Sequence, residues 1–258
     1  MEYQAIRSVL KDDIATITLN RPEVMNALNT QMRAEITHAV REAEKSARVV
    51  VITGEGRAFC SGQDLGDNTN AANMDLERVL RDEYVPMLNA IYNCRVPTIA
   101  AVNGAAAGAG ANLALAADVV IASEDAFFQQ AFTKIGLIPD AGGTWYMPRQ
   151  VGLARAMGAM LFADRIPATQ ARDWGMIYEA VAPAEFETHW KGRATQLAMG
   201  PTVAYRQLKK ALADTFEHTL DQQLSVEAKL QGRCGKTRDF QEGVLAFLEK
   251  RPPHYEGR

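Results

Sequence analysis

Cysteine is scarce: Cys60, Cys94 and Cys234 are the three in 258 residues, and none forms a CxxC pair. That scatter argues against a disulfide framework or a zinc site and fits a reducing, cytoplasmic compartment. Histidine is almost as scarce. His38, His189, His218 and His254 fall on predicted helices or near the terminus, in polar company, and no HExxH occurs. Each reads as a solvated residue, because sites concentrate in loops at strand ends. No metal ligand set is expected. Excess charge of either sign is also missing. The net charge is -3, with no basic stripe interleaved with aromatics, which argues against a nucleic-acid partner. The N-terminus lacks a basic segment followed by an apolar core, so no secretory signal is expected. Val96 to Ala117 carries no charge and is long enough for a bilayer. Pro97, Asn103, Gly104, Gly108, Gly110 and Asn112 interrupt it, so it reads as a buried strand–turn–helix and no membrane contact is expected.

What is present is an ordinary globular balance, 47% hydrophobic and 23% charged, in a length that suits one large domain or a core with an appendage. The first half alternates strands and helices. "YQAIRSVL" and "IATITLN" read as a hairpin across "KDD". Met32, Ile36, Ala39, Val40 and Ala43 share one helical face. "VVVITG", "TIAAVNG" and "DVVIAS" are apolar runs of the kind that buried strands show, with a short buried helix at "GANLALAA". Leu76, Val79, Leu80, Met87, Leu88 and Ile91 suggest a further helix that Pro86 bends or restarts. Gly66 to Asp75 is polar and reads as a mobile loop. Beyond Gly142 strand signals nearly vanish, and helical patterns occur near 150–162, 168–174, 184–199, 202–214, 218–231 and 237–249. The fold class is therefore α/β with an all-helical tail.

Several chemistries lack their patterns. Ser61 lies in "FCSGQD" and not in GxSxG. "GAGANL" has Leu113 where a dinucleotide fingerprint needs its third glycine, and "GEGRAFCSG" lacks GK[ST]. Three loops instead follow buried strands: "RAFCSGQDL", "NGAAAGAGANLAL" and "KIGLIPDAGGTW". Small residues there either let a ligand approach the backbone N–H groups or serve close helix–strand packing.

"NRPEVMNAL" (Asn20 to Leu28), "RAFCSGQDL" (Arg57 to Leu65), "VNGAAAGAGANLALAAD" (Val102 to Asp118), "KIGLIPDAGGTWYMPRQVG" (Lys134 to Gly152) and "DFQEGVLAFLEKRPPHYEG" (Asp239 to Gly257) together resemble, in order and spacing, the crotonase superfamily of enoyl-CoA hydratases and isomerases. The resemblance spans essentially the whole chain. It implies a crotonase-like ββα spiral core, taken as residues 1–195, and a C-terminal helical trimerisation region, residues 196–258, that builds homotrimers or hexamers. It implies an acyl-CoA thioester as substrate, with no further cofactor. By motif position, the backbone N–H groups of Gln63 and Ala109 would form an oxyanion hole for the thioester carbonyl, each donor contributing ~3 kcal/mol to the transition state.

The resemblance also narrows the chemistry. Hydratases of the superfamily carry two glutamates that hold a water; here those positions are Asn112 and Phe132, and neither side chain can act as a base. Asp140 stands where hydratases usually carry glycine, as isomerases and 4-chlorobenzoyl-CoA dehalogenases do with a carboxylate. The dehalogenases have tryptophan at the Phe132 position. "IGLIPDAGGTW", "ARDWGMI" and "FLEKRPP" resemble most the isomerases that turn ring-1,2-epoxyphenylacetyl-CoA into oxepin-CoA. A Δ3,Δ2-enoyl-CoA isomerase and a non-enzymatic RNA- or protein-binding relative are the alternatives. Two roles for Asp140 stay open at this level: a helix cap bonded to Gly142 or Gly143 N–H, or a single acid/base whose pKa is raised by apolar walls. Leu137, Ile138, Phe132 and Trp145 are the candidate walls. Ala27, Asp64 and Leu65 match positions along the CoA path, and Phe247 and Lys250 match C-terminal positions that reach a neighbouring subunit's CoA. Asp118 reads as structural.

Overall fold

The computed structural model describes residues 2–66 and 75–258. The stretch expected to be a mobile loop lies outside the described residues apart from its ends. The chain opens with β1 (Ile6–Lys11) and β2 (Ile14–Leu19), paired antiparallel. Asp12 and Asp13 turn the hairpin at φ 52° and 61°, the positive angles that a two-residue turn needs and aspartate tolerates. α1 (Thr30–Ser46) starts at Asn29, whose side chain accepts from Met32 N at 2.8 Å. Its expected face, Met32, Ile36, Ala39, Val40 and Ala43, is buried.

From there the chain repeats one unit. A long strand enters one sheet, a short strand turns into a second sheet, and a helix follows. β3 (Val49–Gly54) and β4 (Ala58–Cys60) are followed by α2 (Leu76–Val79), a π-helical turn over Leu80–Tyr84, and α3 (Val85–Tyr92). Pro86 follows the π-helical turn directly within one continuous helical run from Leu76 to Tyr92, so it neither stops nor restarts the helix. β5 (Thr98–Val102), β6 (Ala105–Ala107) and the fully buried α4 (Ala109–Leu115) form the second unit. β7 (Val119–Ser123) and β8 (Phe127–Gln129) lead through a 3-10 turn, Ala131–Ile135, to α5 (Gly143–Val151). The larger sheet runs β1-β2-β3-β5-β7 and ends on a late strand; the smaller runs β4-β6-β8 and ends on another. Apart from β1–β2 and the last pair of the smaller sheet, all pairs are parallel. Each unit places its short strand beside the previous one, so the loops after β4, β6 and β8 come to the same end of the small sheet.

The later chain departs from the sequence reading in three places. The helix expected near 150–162 is α6 (Leu153–Phe162), and an unexpected helix, α5, precedes it and ends at Gly152 with φ 78°. Strands persist: β9 (Ile166–Pro167) closes the small sheet, and after α7 (Ala168–Asp173) β10 (Glu179–Val181) closes the large one. Both are too short to show an alternating pattern. Residue 195, the expected core boundary, falls inside α8 (Pro183–Ala198), whose Phe186, Trp190, Ala194 and Ala198 all pack on Val49, Val51, Ile99 and Ile121 of the large sheet. A helix buried along its length belongs to the core it covers, so the change comes after Ala198.

α9 (Thr202–Ala213), α10 (Leu220–Cys234) and α11 (Arg238–Glu249) follow. Two polar joints tie them to the core. Arg48 donates to Thr202 Oγ1 at 2.9 Å, Gly200 O at 2.5 Å and Tyr255 O at 3.1 Å. Lys209 pairs with Asp118 at 2.6 Å, while Asp118 also accepts from Thr98 N and Oγ1 at 2.7 and 2.9 Å. Asp118 is thus structural. Between the three helices runs a groove of about 1070 Å³, lined by Leu208, Leu212, Leu224, Val244, Phe247 and Leu248 among others. Among the described residues, no helix is long and apolar enough to cross a membrane.

Candidate active site

The parallel pairing fixes which backbone groups are free. Leu28 pairs with Gln63: Leu28 N donates to Gly62 O at 2.7 Å, and Asp64 N donates to Leu28 O at 3.1 Å. Backbone groups alternate in direction along an extended chain, so Gln63 N–H points away from Leu28. The turn after β6 lies beside this loop. A Cβ built on Gly62 would stand 3.4 Å from Ala109 N. Ala109 opens α4 and has no carbonyl a turn earlier to bond. Among the described residues neither Gln63 N–H nor Ala109 N–H donates to the chain. Gly110 completes the arrangement: a Cβ there would overlap Cys60 O, so only glycine lets α4 press onto the end of β4. Two unspent donors on adjoining loops can hold one carbonyl oxygen.

Asp140 follows the third strand end. Its Oδ1 is buried and has no hydrogen-bond partner. Burial alone pushes the carboxyl up to about 6. The cap reading is corrected here. Gly142 is the N-cap of α5, with no side-chain cap, and Gly143 N donates to the backbone oxygen of Asp140 at 2.9 Å. Ala141 and Gly142 adopt φ 49° and 83°, which turns the Asp140 carbonyl, and not its carboxylate, toward the helix. A second donor holds that carbonyl: Asn112 Nδ2 at 2.7 Å. Asn112 Oδ1 in turn accepts from Gln130 Nε2 at 2.8 Å, and both amides are fully buried. The residue at the hydratase acid position is thus spent on steadying the Asp140 loop.

Of the expected walls, Phe132 is buried, with its ring 3.9 Å from a Cβ built on Gly108, beside the Ala109 donor. Trp145 packs edge-on against Tyr92 and Tyr146 at 5.5 and 5.1 Å between centroids. Leu137 is half-buried. Ile138 is 78% exposed and walls nothing within one chain. Among the described residues no cluster of His, Cys, Asp or Glu could hold a metal ion.

The residues matched to the CoA path divide. Ala27 is buried and its carbonyl accepts from Arg21 Nη1 at 2.7 Å; the same nitrogen pairs with Asp64 at 2.7 Å. Asp64 therefore joins the loop at Arg21 to the loop at Gln63 and has its charge already met. Leu65 is 53% exposed, open to a ligand. Phe247 is 82% exposed and Lys250 ends α11 at φ 55°. Phe247 lines the C-terminal groove and not the three loops.

Sequence reading missed a polar group beneath Gln63. Gln63 Oε1 accepts from Arg33 Nη1 at 2.9 Å and from Tyr84 OH at 2.7 Å, and Arg33 pairs with Glu83 at 2.6 Å. A signal existed: Arg33 shares a helical stripe with Ile36 and Val40, where a charge is out of place unless paired. Burial pushes the Tyr84 phenol up; Arg33 opposes this, and the charge on Asp140 adds to it. Tyr84 therefore stays a donor.

The family model described as enoyl-CoA hydratase/isomerase matches residues 10–258. The chain is 60% identical over 258 residues to the "Probable enoyl-CoA hydratase" of Rhodobacter capsulatus, covering all of both. It is 41% identical over 263 aligned positions to the 1,2-epoxyphenylacetyl-CoA isomerase of Escherichia coli K12, again covering all of both. A crystal structure of an enoyl-CoA hydratase from Polaromonas sp. JS666 superposes with a TM-score of 0.92 at 33% identity, covering 98% of this chain and 100% of that one.

Proposed function

The chain belongs to the enoyl-CoA hydratase/isomerase family, and from that premise we propose that it isomerises acyl-CoA thioesters with Asp140 as its one acid/base group. The substrate in this reading is ring-1,2-epoxyphenylacetyl-CoA and the product oxepin-CoA, with double-bond shifts in unsaturated acyl-CoA as a related reaction. The observation that carries it is the half-buried Asp140 carboxyl, whose buried Oδ1 has no hydrogen-bond partner and which burial pushes up to about 6. A carboxyl that titrates near neutrality can both take and return a proton.

In this scheme the thioester carbonyl accepts from Gln63 N–H and Ala109 N–H. The resulting stabilisation of an enolate acidifies the carbon beside the carbonyl. Asp140 removes a proton there and returns it to another carbon, or to the same one after the ring C–O and C–C bonds reorganise. No atom is gained or lost, so one shuttling group suffices. Hydration would need two groups working on a water. Asn112 is committed to Asp140 O and Gln130, and Phe132 has no proton to exchange, which supports isomerisation over the activity in the name of the 60% identical relative. The scheme uses no cofactor beyond the CoA carried by the substrate. Phe247 and Lys250 would meet CoA only across a subunit boundary, in a trimer or a pair of trimers.

Purified protein is incubated with ring-1,2-epoxyphenylacetyl-CoA, a 3-enoyl-CoA and a 2-enoyl-CoA, and products are resolved by chromatography and mass. The expected result is a product of unchanged mass from the epoxide, with Asp140→Asn slower by about 10²-fold or more. Conversion of the 3-enoyl-CoA alone would move the assignment to the Δ3,Δ2-isomerase. A product heavier by one water would make the protein a hydratase and end this reading.

A further inference from the structure

Arg33 is 2% exposed at one edge of the buried face of α1, beside Ile36 and Val40, with Glu35 buried at the other edge. A buried guanidinium is costly unless its donors are all met, and where they go is informative. Nε and Nη2 reach Glu83 Oε2 at 3.1 and 2.6 Å. Nη1 reaches Leu28 O at 2.6 Å and Gln63 Oε1 at 2.9 Å. The guanidinium also lies over the Tyr84 ring, 4.8 Å from its centroid. Leu28 is the residue whose N and O latch the peptides on either side of Gln63. One cation therefore grips Gln63 twice, through its side chain and through the strand partner of its backbone. Tyr84 OH adds a second donor to the same Oε1 at 2.7 Å. The π-helical turn Leu80–Tyr84 brings Glu83 and Tyr84, neighbours in sequence, onto the same guanidinium; such turns recur at functional sites.

We propose that Arg33 is a positioning residue that aims the Gln63 N–H at the substrate carbonyl, with Glu83 and Tyr84 holding Arg33 and Gln63 in register. With Oε1 doubly bonded and both flanking peptides latched, Gln63 has one orientation left, N–H away from Leu28. A buried Arg–Glu pair that only stabilised the fold would be replaceable by apolar groups without chemical effect. This pair should not be, because two contacts of Arg33 and one of Tyr84 converge on one donor of the hole. The role rests on the reading of Gln63 N–H as such a donor.

The test uses full-length protein and phenylacetyl-CoA labelled with ¹³C at the thioester carbonyl, a probe without the epoxide. Infrared difference spectra report how strongly the bound carbonyl is polarised. Three variants are compared with wild type. Arg33→Lys keeps the charge but lacks the fork. Arg33→Met with Glu83→Gln removes both charges together. Tyr84→Phe removes one donor to Oε1 and leaves the ion pair. Wild type is expected to lower the carbonyl stretch. Arg33→Lys and the double variant should lose most of that lowering, Tyr84→Phe part of it. Turnover of the epoxide should fall about 10- to 100-fold in kcat for Arg33→Lys, the loss expected from a misplaced donor, with KM little changed. Folded variants that polarise the carbonyl and turn over like wild type, differing only in Tm, would reduce Arg33 to a structural residue. A wild type that leaves the stretch unshifted would remove the hole reading itself, and the role of Arg33 with it.

Discussion

Asp140 is costly to the fold in its ionised form. Its carboxyl titrates at about 6 in the folded chain and near ~3.9 when unfolded. Between those values the folded chain holds a proton that the unfolded chain has released, so stability falls as pH rises across that window. Asp140→Asn removes the charge. It should be more stable than wild type above pH 6, by about 1 kcal/mol once partial exposure is discounted, and equal to it below about pH 4. Thermal unfolding of both proteins across that range checks this. On the proposed reading the same ionisation governs activity. If Asp140 is the base, kcat/KM should rise through about pH 6 with a single proton lost, and a flat profile across that range would remove it from the role. The sequence showed which residue to watch but not which way it faces. A cap and a reagent share the letters "PDAGG", and the positive φ angles at Ala141 and Gly142 exclude the cap.

At the scale of elements, the amide relay from β8 through α4 to the Asp140 loop is the vulnerable part. Gly143 opens α5 against Asn112, and a Cβ there would overlap the Asn112 amide. Asn112 cannot step aside without giving up Asp140 O or Gln130 Nε2. Gly143→Ala should therefore lower kcat by about 10- to 100-fold through a displaced carboxylate and lower Tm as well. Gly158→Ala in α6 meets nothing within 4 Å and serves as the control, gaining up to about 1 kcal/mol from helix propensity. Kinetics and melting of the two variants side by side separate the cases. Most elements were legible because their periods are long enough to read: α1, β3, β5, α4 and β7. β9 and β10 were not, because two or three residues carry no period. The π-helical turn was not legible either, since a helix with one wider turn keeps nearly the same apolar spacing.

Across the whole molecule the apolar surface is unevenly spread. Leu208, Leu212, Phe216, Leu220, Leu224, Phe240, Phe247 and Leu248 are all exposed on or beside α9, α10 and α11. Apolar surface gathered on one region marks an interface. The protein should run in light scattering at three or six times 28.3 kDa. Phe247→Glu with Leu248→Glu should shift it toward the single-chain mass and weaken CoA binding if the C-terminus reaches a neighbour's ligand. A monomeric wild type would leave this face without a role in assembly. The motif order across the chain made the ββα architecture and the helical tail readable from sequence. The join between them was not, because α8 and α9 have similar composition and differ only in what they lie against.

On the proposed reading the two donors for the substrate carbonyl are the main-chain amides of Gln63 and Ala109, and main-chain atoms are encoded by no particular codon. A point mutation can swap a reagent, as at residue 140, but only proline removes a main-chain N–H; other substitutions, Arg33→Lys among them, can at most misaim it. The chemistry of such a chain is therefore open to inheritance in small steps: a carbonyl trap passed on intact, and a reaction rewritten one side chain at a time.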